Sequence, residues 1–505
     1  VTNDKFDIAD AILERRLEEA RALGLASDGL ANKAPHLSAR SGLSAGQRSG
    51  GWSLLGALLV FTVMAPGALA IDGAVLASCV FTALIVMRLA AALNALTRRR
   101  SALPQIASNN DLPVITYLVA LKDEARVVAS LIKAIDAIDY PAHLLDVKLL
   151  VEADDFATLG ALRKLTLPQG FEIMPVPPGA PRTKPRALNY GLASARGDIV
   201  AVLDAEDRPS PDQARQAVAA FTAGGRDLAV VQAPLLAHNG GDSWIARQFD
   251  VEYNIHFLVW LPFLARLGAP LPLGGTSNYF HRDRLEAAGG WDAWNVTEDA
   301  DLGLRLARMG WRAAVIDAST YEEAPIRFGH WFNQRTRWIK GHIQTWLVLM
   351  RDPIGAANGM GWPQFLITQL TFGGSLLASF LHGWIIIVAA AMAALGAPIL
   401  IWAVALLAMG YVSVMLAALV ARRRPSISAL ATLPLYWPLL SIAAVKALWE
   451  QKRRPHYWAK TPHGLSPAGP PDPQDGAEPI SLNDAAAARA RAKRQEVRQA
   501  RKLGG

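Results

Sequence analysis

Apolar residues crowd into a few long runs towards both ends of the chain, and the stretch between them alternates short β-branched runs with helical patterns. Residues 52–71 and 74–96 form two runs, each near the ~20 residues that a membrane-spanning helix requires. Residues 365–395 are long enough for a tilted span or for an interfacial piece plus a span, and 398–420 reads as a further crossing. The run 427–449 is different, with Arg422, Arg423 and Arg424 before it, Lys452, Arg453 and Arg454 after it, and Pro434 and Pro438 in its middle. Both ends prefer the cytosol, so the pattern predicts a re-entrant or interfacial hairpin whose broken backbone is buried by protein. Arg98, Arg99 and Arg100 place the exit of the second run on the same side, and the polar middle with it.

That middle contains five short apolar runs, at 113–121, 147–152, 172–176, 198–204 and 228–233, separated by helical patterns. Continuous apolar strands between helices predict a parallel sheet covered on both faces. Ligands of such sheets bind at the carboxyl ends of the strands. Three of the runs end in charged turns: Lys122-Asp123-Glu124, Glu152-Ala153-Asp154-Asp155 and Asp204-Ala205-Glu206-Asp207.

The flanks are simpler. Residues 4–25 carry a helical pattern and lead into a Ser/Gly-rich linker, and no secretory signal pattern precedes the first apolar run near Trp52. Beyond Leu465 the chain is Pro/Gly-rich and then basic. The predicted units are therefore 1–50, helix and linker; 51–97, two spans; 98–350, an α/β domain; 351–450, a second membrane region; 451–465, a loop; and 466–505, a disordered tail. A hydrophobic share of 52% and a mean hydropathy of +0.20 fit an integral membrane protein. Of the net charge of +8, the segment 484–505 supplies +5, from seven Lys/Arg against two Asp/Glu. The core is thus no nucleic-acid platform, and the tail reads either as a basic helix on anionic headgroups or as a solvated extension. The single cysteine, Cys79, excludes an intramolecular disulfide and a cysteine metal cluster.

Two features carry chemistry. Asp204 and Glu206 are delivered to the sheet edge by an apolar strand, and such an oxygen pair suits Mg2+ or Mn2+ completed by phosphate oxygens; the plain alternative is a solvated turn. Gln334, Arg335, Arg337 and Trp338 combine an amide, guanidinium forks and an indole just before the chain turns apolar. That set suits an anionic, ring-bearing ligand at a membrane surface, against the plain reading of an interfacial Arg/Trp belt.

Asp204 to Asp207, then Thr297-Glu298-Asp299, then Gln334 to Trp338 occur in this order between apolar segments. Over residues 110–465 the chain resembles the membrane-embedded family 2 glycosyltransferases, the processive polysaccharide synthase group that includes bacterial cellulose synthase, hyaluronan synthase and poly-N-acetylglucosamine synthase. The resemblance implies an α/β GT-A (nucleotide-diphospho-sugar transferase) domain inserted between α-helical transmembrane segments. Asp204 and Glu206 match the acidic pair that holds the metal, with Glu in the second place as a departure and Asp207 as a substitute. Ala120, Asp123, Glu124 and Glu152 match positions lining a uridine pocket, with Glu152 facing the base. Lys184, Gln334 and Arg337 match positions at the diphosphate, and Arg335 is a further basic group there. Asp299, with Glu298 beside it, matches the catalytic base, its pKa raised by Glu298 and Asp301. Trp338 matches the floor under the acceptor sugar, and Gly275 and Asn278 the segment close to the acceptor. Glu322 and Glu323 read as supporting residues. Thr461, Lys460 and His463 fall in a stretch that resembles the loops closing over bound nucleotide, and Trp384, Trp402 and Trp437 are candidates to line a channel.

The implied activity is an inverting, Mg2+- or Mn2+-dependent β-glycosyltransferase of a bacterial inner membrane, with its catalytic domain in the cytosol. It polymerises a UDP-sugar, UDP-glucose first and UDP-N-acetylglucosamine next, onto a growing polysaccharide that it exports, with any export partners unspecified. Because the stretch after the loop is short, Pro-rich and basic, no cyclic-dinucleotide-binding domain is expected within it. The rivals are a non-processive transferase acting on a lipid-phosphate acceptor and a transporter or scaffold that only senses nucleotide.

Overall fold

The computed structural model describes residues 3–97, 111–394, 401–421, 425–461 and 464–466, of which 3–17, 66–71, 384, 387–394 and 401–403 are described by backbone alone. The arginines at 98–100 and 422–424, Pro462, His463 and the tail beyond Ser466 lie outside the described residues, as do the side chains of Trp384 and Trp402.

All five predicted strands are present: β1 (Ile115–Leu121), β2 (Leu145–Glu152), β3 (Phe171–Val176), β4 (Ile199–Leu203) and, after the short β5 (Arg208–Pro209), β6 (Leu228–Gln232). They read as unbroken apolar runs because alternate residues enter two cores. Tyr117 and Val119 pack on one face with Val147 and Leu149, and Leu118 packs on the other with Leu150 and Val202. Burial of each such side chain contributes roughly 1.5–3 kcal/mol.

The sheet is mixed, which corrects the parallel expectation. Its order is β3-β2-β1-β4-β8-β6-β9, where β8 (Asn278–His281) runs antiparallel to both β4 and β6, and β9 (Arg312–Val315) runs parallel to β6. β7 (Leu235–Ala237) and β10 (Thr320–Glu322) complete a small sheet, β5-β10-β7. The antiparallel insertion matters for the site. In register, Asn278 lies opposite Val202, so the segment entering β8 arrives at the carboxyl end of β4, where the acidic turns are. The glycines at 274 and 275, read from sequence as part of the segment close to the acceptor, therefore lead into a central strand.

Around this domain lie long helices. Pro66–Thr97 begins after a break at Ala65, earlier than the predicted junction, and Trp362–Thr368 continues through a π-helical turn, Gln369–Gly373, into Gly374–Ala394. Among the described residues, Asp72–Thr97 and Trp362–Gly383 are long and apolar enough to cross a membrane, and Val404–Val420 is a shorter apolar helix. Large apolar side chains such as Leu58, Phe61, Leu89 and Leu93 are exposed on the outside of this layer.

The predicted hairpin is replaced by a short helix, Ile427–Ala431, and one continuous helix, Leu433–Arg453. Pro434 sits in the first turn, where its missing N–H costs nothing. Pro438 is accommodated inside the helix opposite Gly383, where a Cβ would come within 2.6 Å of the Pro438 Cα. The glycine lets the neighbouring helix close in on the proline. The N-terminal linker is also ordered, as two 3₁₀ turns, Pro35–Leu37 and Ala39–Ser41. Asp292 accepts hydrogen bonds from Ser38 Oγ at 2.9 Å and Ala39 N at 2.6 Å. Arg351 donates to the carbonyls of Pro35 and Ser38, at 3.1 and 2.8 Å.

Candidate active site

Four pieces of chain meet at the carboxyl ends of β1, β2 and β4. The turn after β4 is closed by Asp207, whose buried carboxylate accepts from Asp204 N at 2.7 Å and from Thr276 Oγ1. Burial, then Asp204 and Glu206, push the Asp207 carboxyl well above its ordinary range. Asp207 therefore shapes the turn and does not line the cavity, which corrects its reading as a substitute ligand. Asp204 and Glu206 do line it. Lys184, at the start of the helix Lys184–Leu192, places its ammonium on Asp204 Oδ1 and on Gly275 O, the latter at 2.7 Å. Burial alone would lower that ammonium, but Asp204 and Glu298 outweigh it and hold it above its usual value.

Helix Glu298–Arg308 brings its first turn against the same edge. A Cβ on Gly275 would lie 3.2 Å from Asp299 Oδ2, so only glycine leaves the space beside that carboxylate open. Asn278 sits behind, donating to Gly274 O at 2.6 Å, and fixes this glycine segment rather than facing the cavity. The Asp299 carboxyl is raised by burial, against Lys184 and Arg337, which lower it. Its neighbours are not the main cause, contrary to expectation, and Asp301 is paired with Arg305 at 2.8 Å. Glu298 is pushed up to about 8, by burial first and by Asp299 second.

Helical spacing sorts the arginine cluster. Within Phe328–Leu349, Gln334, Arg337 and Trp338 lie three and four residues apart and share a face. Arg335 turns towards Glu252 and forms an ion pair, while Tyr436 O–H donates to the same carboxylate at 2.7 Å. Arg335 thereby joins two helices while still lining the cavity, with its Nε unpartnered. Trp338 stacks on Tyr253, with ring centroids 6.2 Å apart and planes at 21°, so the platform is two rings wide. Arg337 lies over Trp458, 4.7 Å from its centroid.

The late segment crosses the same mouth. Lys460 pairs with Glu124 at 2.9 Å and donates to Asp123 O at 3.1 Å. Glu323 accepts from Gly464 N and Leu465 N, at 2.7 and 2.9 Å. Asp123 itself is exposed, in the left-handed region at φ 55°, and contributes its backbone rather than its carboxylate. Glu152 lines the cavity with both oxygens accepting from Arg186, at 2.8 and 2.7 Å.

One cavity of about 680 Å3 is lined by Asp204, Glu206, Asp299, Lys184 and Arg337, with Ala120, Glu124, Glu298, Gln334, Trp338, Lys460 and Thr461. Five buried polar atoms of its lining residues have no protein partner: Gln334 Oε1, Arg335 Nε, Arg337 Nε, His382 Nε2 and Thr461 Oγ1. Sequence reading missed Tyr253 and underrated Glu322, which lines the cavity and is raised well above its ordinary range by burial and then by Asp207 and Glu206. His342, one turn after Trp338, and His256 also line it; burial holds both at about 4, hence neutral. The i+4 spacing of Trp338 and His342 was the available signal. Among the described residues no three His, Cys, Asp or Glu could hold a metal by themselves. Two carboxylates lining one cavity, Asp204 already holding the Lys184 ammonium, nevertheless fit a hard divalent ion whose shell is completed by ligand phosphates.

The titration of Glu298 makes a prediction. From the ordinary carboxylate range up to about 8, the folded chain holds a proton that the unfolded chain releases. Stability contributed by this site therefore falls as pH rises through that window. Glu298→Gln should melt near the wild-type temperature at about pH 5 and above it at about pH 8.5. Parallel melting curves at both pH values would refute the assignment.

A mixed α/β domain with an acidic strand edge, a buried carboxylate at a helix start and a basic-aromatic wall is GT-A-like in its fold. Residues 199–421 match the family described as glycosyl transferase family group 2. The chain is 26% identical over 272 residues to the beta-monoglucosyldiacylglycerol synthase of Synechocystis sp., covering 52% of this chain and 56% of that protein. It is 29% identical over 176 residues to the probable glucomannan 4-beta-mannosyltransferase 1 of Arabidopsis thaliana, covering 35% of this chain and 32% of that protein. Among solved structures it shares its fold with the mannosyltransferase PcManGT from Pyrobaculum calidifontis, in complex with GDP-Man and Mn2+, at a TM-score of 0.51, 22% identity, 74% of this chain and 99% of that one. Family group 2 glycosyltransferases are thus what this chain resembles over residues 199–421, a little less than half of its length. The matched region spans about half the length of the first of these relatives or less.

Proposed function

We propose that the protein is an inverting β-glycosyltransferase at the inner face of a bacterial plasma membrane, with UDP-glucose as donor and UDP-N-acetylglucosamine as the alternative. The observation that carries this reading is the shared cavity: Asp204, Asp299 and Arg337, far apart in sequence, open into one space with unpartnered polar atoms at its rim. In the reaction, Asp299 takes the proton of an acceptor hydroxyl while that oxygen attacks the anomeric carbon. The bond to the diphosphate breaks on the opposite face, and UDP leaves with both electrons. Lys184 and Arg337 hold the diphosphate, Gln334 and Thr461 supply hydrogen bonds, and Trp338 with Tyr253 supports the acceptor. A divalent ion at Asp204 and Glu206 supplies Lewis-acid stabilisation of the leaving group when bound; the solved neighbour of like fold is a Mn2+ complex.

The catalytic unit is residues 98–350, and the helices at 51–97 and 351–450 hold it at the bilayer, with 451–465 as its closing loop. Export of a growing β-glucan follows from the presence of both the Gln334–Trp338 cluster and that loop. A second acceptor, a lipid, is favoured by one observation: the cavity continues into the helical layer between Leu84, Leu376, Val414 and Leu440, walls suited to acyl chains. Purified full-length protein in nanodiscs, given UDP-sugars with Mn2+, tests all of this by UDP release and product size. Sustained release with long product supports polymerisation, and single addition to lipid supports the second acceptor. Silence with every donor overturns the enzyme reading.

A further inference from the structure

The inner arm of the cavity contains a cation that the chemistry above does not use. Arg88 lies on Pro66–Thr97, nine residues before Thr97, which is roughly 13 Å along the helix axis. It lines the cavity, and the one hydrogen bond found for its guanidinium runs from NH1 to Ser413 Oγ at 3.1 Å. Among the described residues no carboxylate pairs with it, although a guanidinium carries five N–H donors. Nearby on the same arm, His382 Nε2 is buried without a partner, with its ring against Trp437 at 4.3 Å. An uncompensated charge in a low-dielectric helical layer is costly unless an anion answers it.

The rest of the arm says what bears that anion. Ser375 and Ser379 line it, but their hydroxyls donate to carbonyls one turn back in their own helix, Thr371 O and Ser375 O. A neutral glycan thus finds few free donors there besides Arg88. The remaining wall is apolar, formed by Leu84, Leu376, Val414 and Leu440. We infer that the arm binds an anionic lipid, with its phosphate on Arg88 and its chains along this wall, and that such a lipid presents the acceptor hydroxyl to Asp299. The inference rests on the glycosyl-transfer reading for the hydroxyl, but not for the lipid site itself.

The test titrates dioleoyl phosphatidylglycerol into full-length protein in detergent and counts retained lipid by native mass spectrometry. Dioleoyl phosphatidylcholine and inorganic phosphate serve as the other two probes. The wild type is expected to retain one phosphatidylglycerol, Arg88→Gln to weaken retention at least about tenfold, and Arg88→Lys to stay within about threefold. Phosphatidylcholine should bind at least about tenfold more weakly, and millimolar phosphate should not displace the lipid. Equal retention by R88Q, equal retention of phosphatidylcholine, or full displacement by phosphate each overturns the site. If R88Q does not fold, R88K decides, and loss of retention in that variant is equally fatal. UDP binding by calorimetry on the same samples reports the donor site separately. Its absence in wild-type protein that retains the lipid would remove the transferase reading and leave the lipid site standing.

Discussion

Asp299→Asn is expected to lower turnover by about 10²–10⁴-fold, the usual worth of a general base, while leaving UDP affinity within about threefold. The substitution keeps the shape and removes the ability to take a proton. Donor binding should survive because Lys184, Arg337 and the Asp204 turn are untouched; Asp299 Oδ2 lies beside Gly275, whose carbonyl accepts from Lys184. The pH dependence sharpens the test. The Asp299 carboxyl is raised by burial and works only when ionised, so wild-type turnover should rise with pH through that raised value. Glu298, with its pKa at about 8, stays protonated near neutrality, which spares Asp299 a second negative charge at its side. Turnover should be measured as UDP release, with calorimetry for UDP. An Asn variant that turns over at the wild-type rate would remove Asp299 from the role.

The sheet was legible from sequence because β1, β2, β4 and β6 are buried on both faces and therefore appear as largely apolar runs. β8 was not, because Asn278–His281 is short, begins with a polar residue and follows two glycines that also spell a turn. Its antiparallel course is a tertiary fact, and it carries Gly275 to Asp299. The arginine cluster shows a similar limit. Composition marked Gln334 to Trp338 as chemical, yet only the structure shows that both arginines line the cavity and that Arg335 is ion-paired there with Glu252 while Arg337 lies over Trp458. Tyr253 gave no signal, since a tyrosine in an amphipathic helix reads as core until Trp338 is seen stacked on it. Pro438 misled for the opposite reason. Its local rule predicts a break, yet the helix runs on from Leu433 to Arg453, packed closely against Gly383 of another helix.

Asp204→Ala should split metal-dependent from metal-independent binding. In the wild type, Mn2+ is expected to tighten UDP binding at least about tenfold, through a site of two carboxylates and the diphosphate. Without the Asp204 carboxylate this increment should vanish, and turnover should fall at least about 10²-fold with it. Metal-free binding should move the other way. Asp204 now occupies the Lys184 ammonium and places a negative charge beside the space for the diphosphate. Removing it frees Lys184 to meet the phosphates, so UDP without metal should bind the variant as tightly as the wild type or more tightly. A merely misfolded variant would lose both, which separates damage from the predicted effect. Lys184→Met provides the mirror image: weaker metal-free UDP binding, because the cation is gone, with a retained response to Mn2+, because both carboxylates remain. Calorimetry of UDP with and without Mn2+ on the three proteins reads all four outcomes, and an unchanged Mn2+ increment in the Ala variant would refute the metal assignment at Asp204.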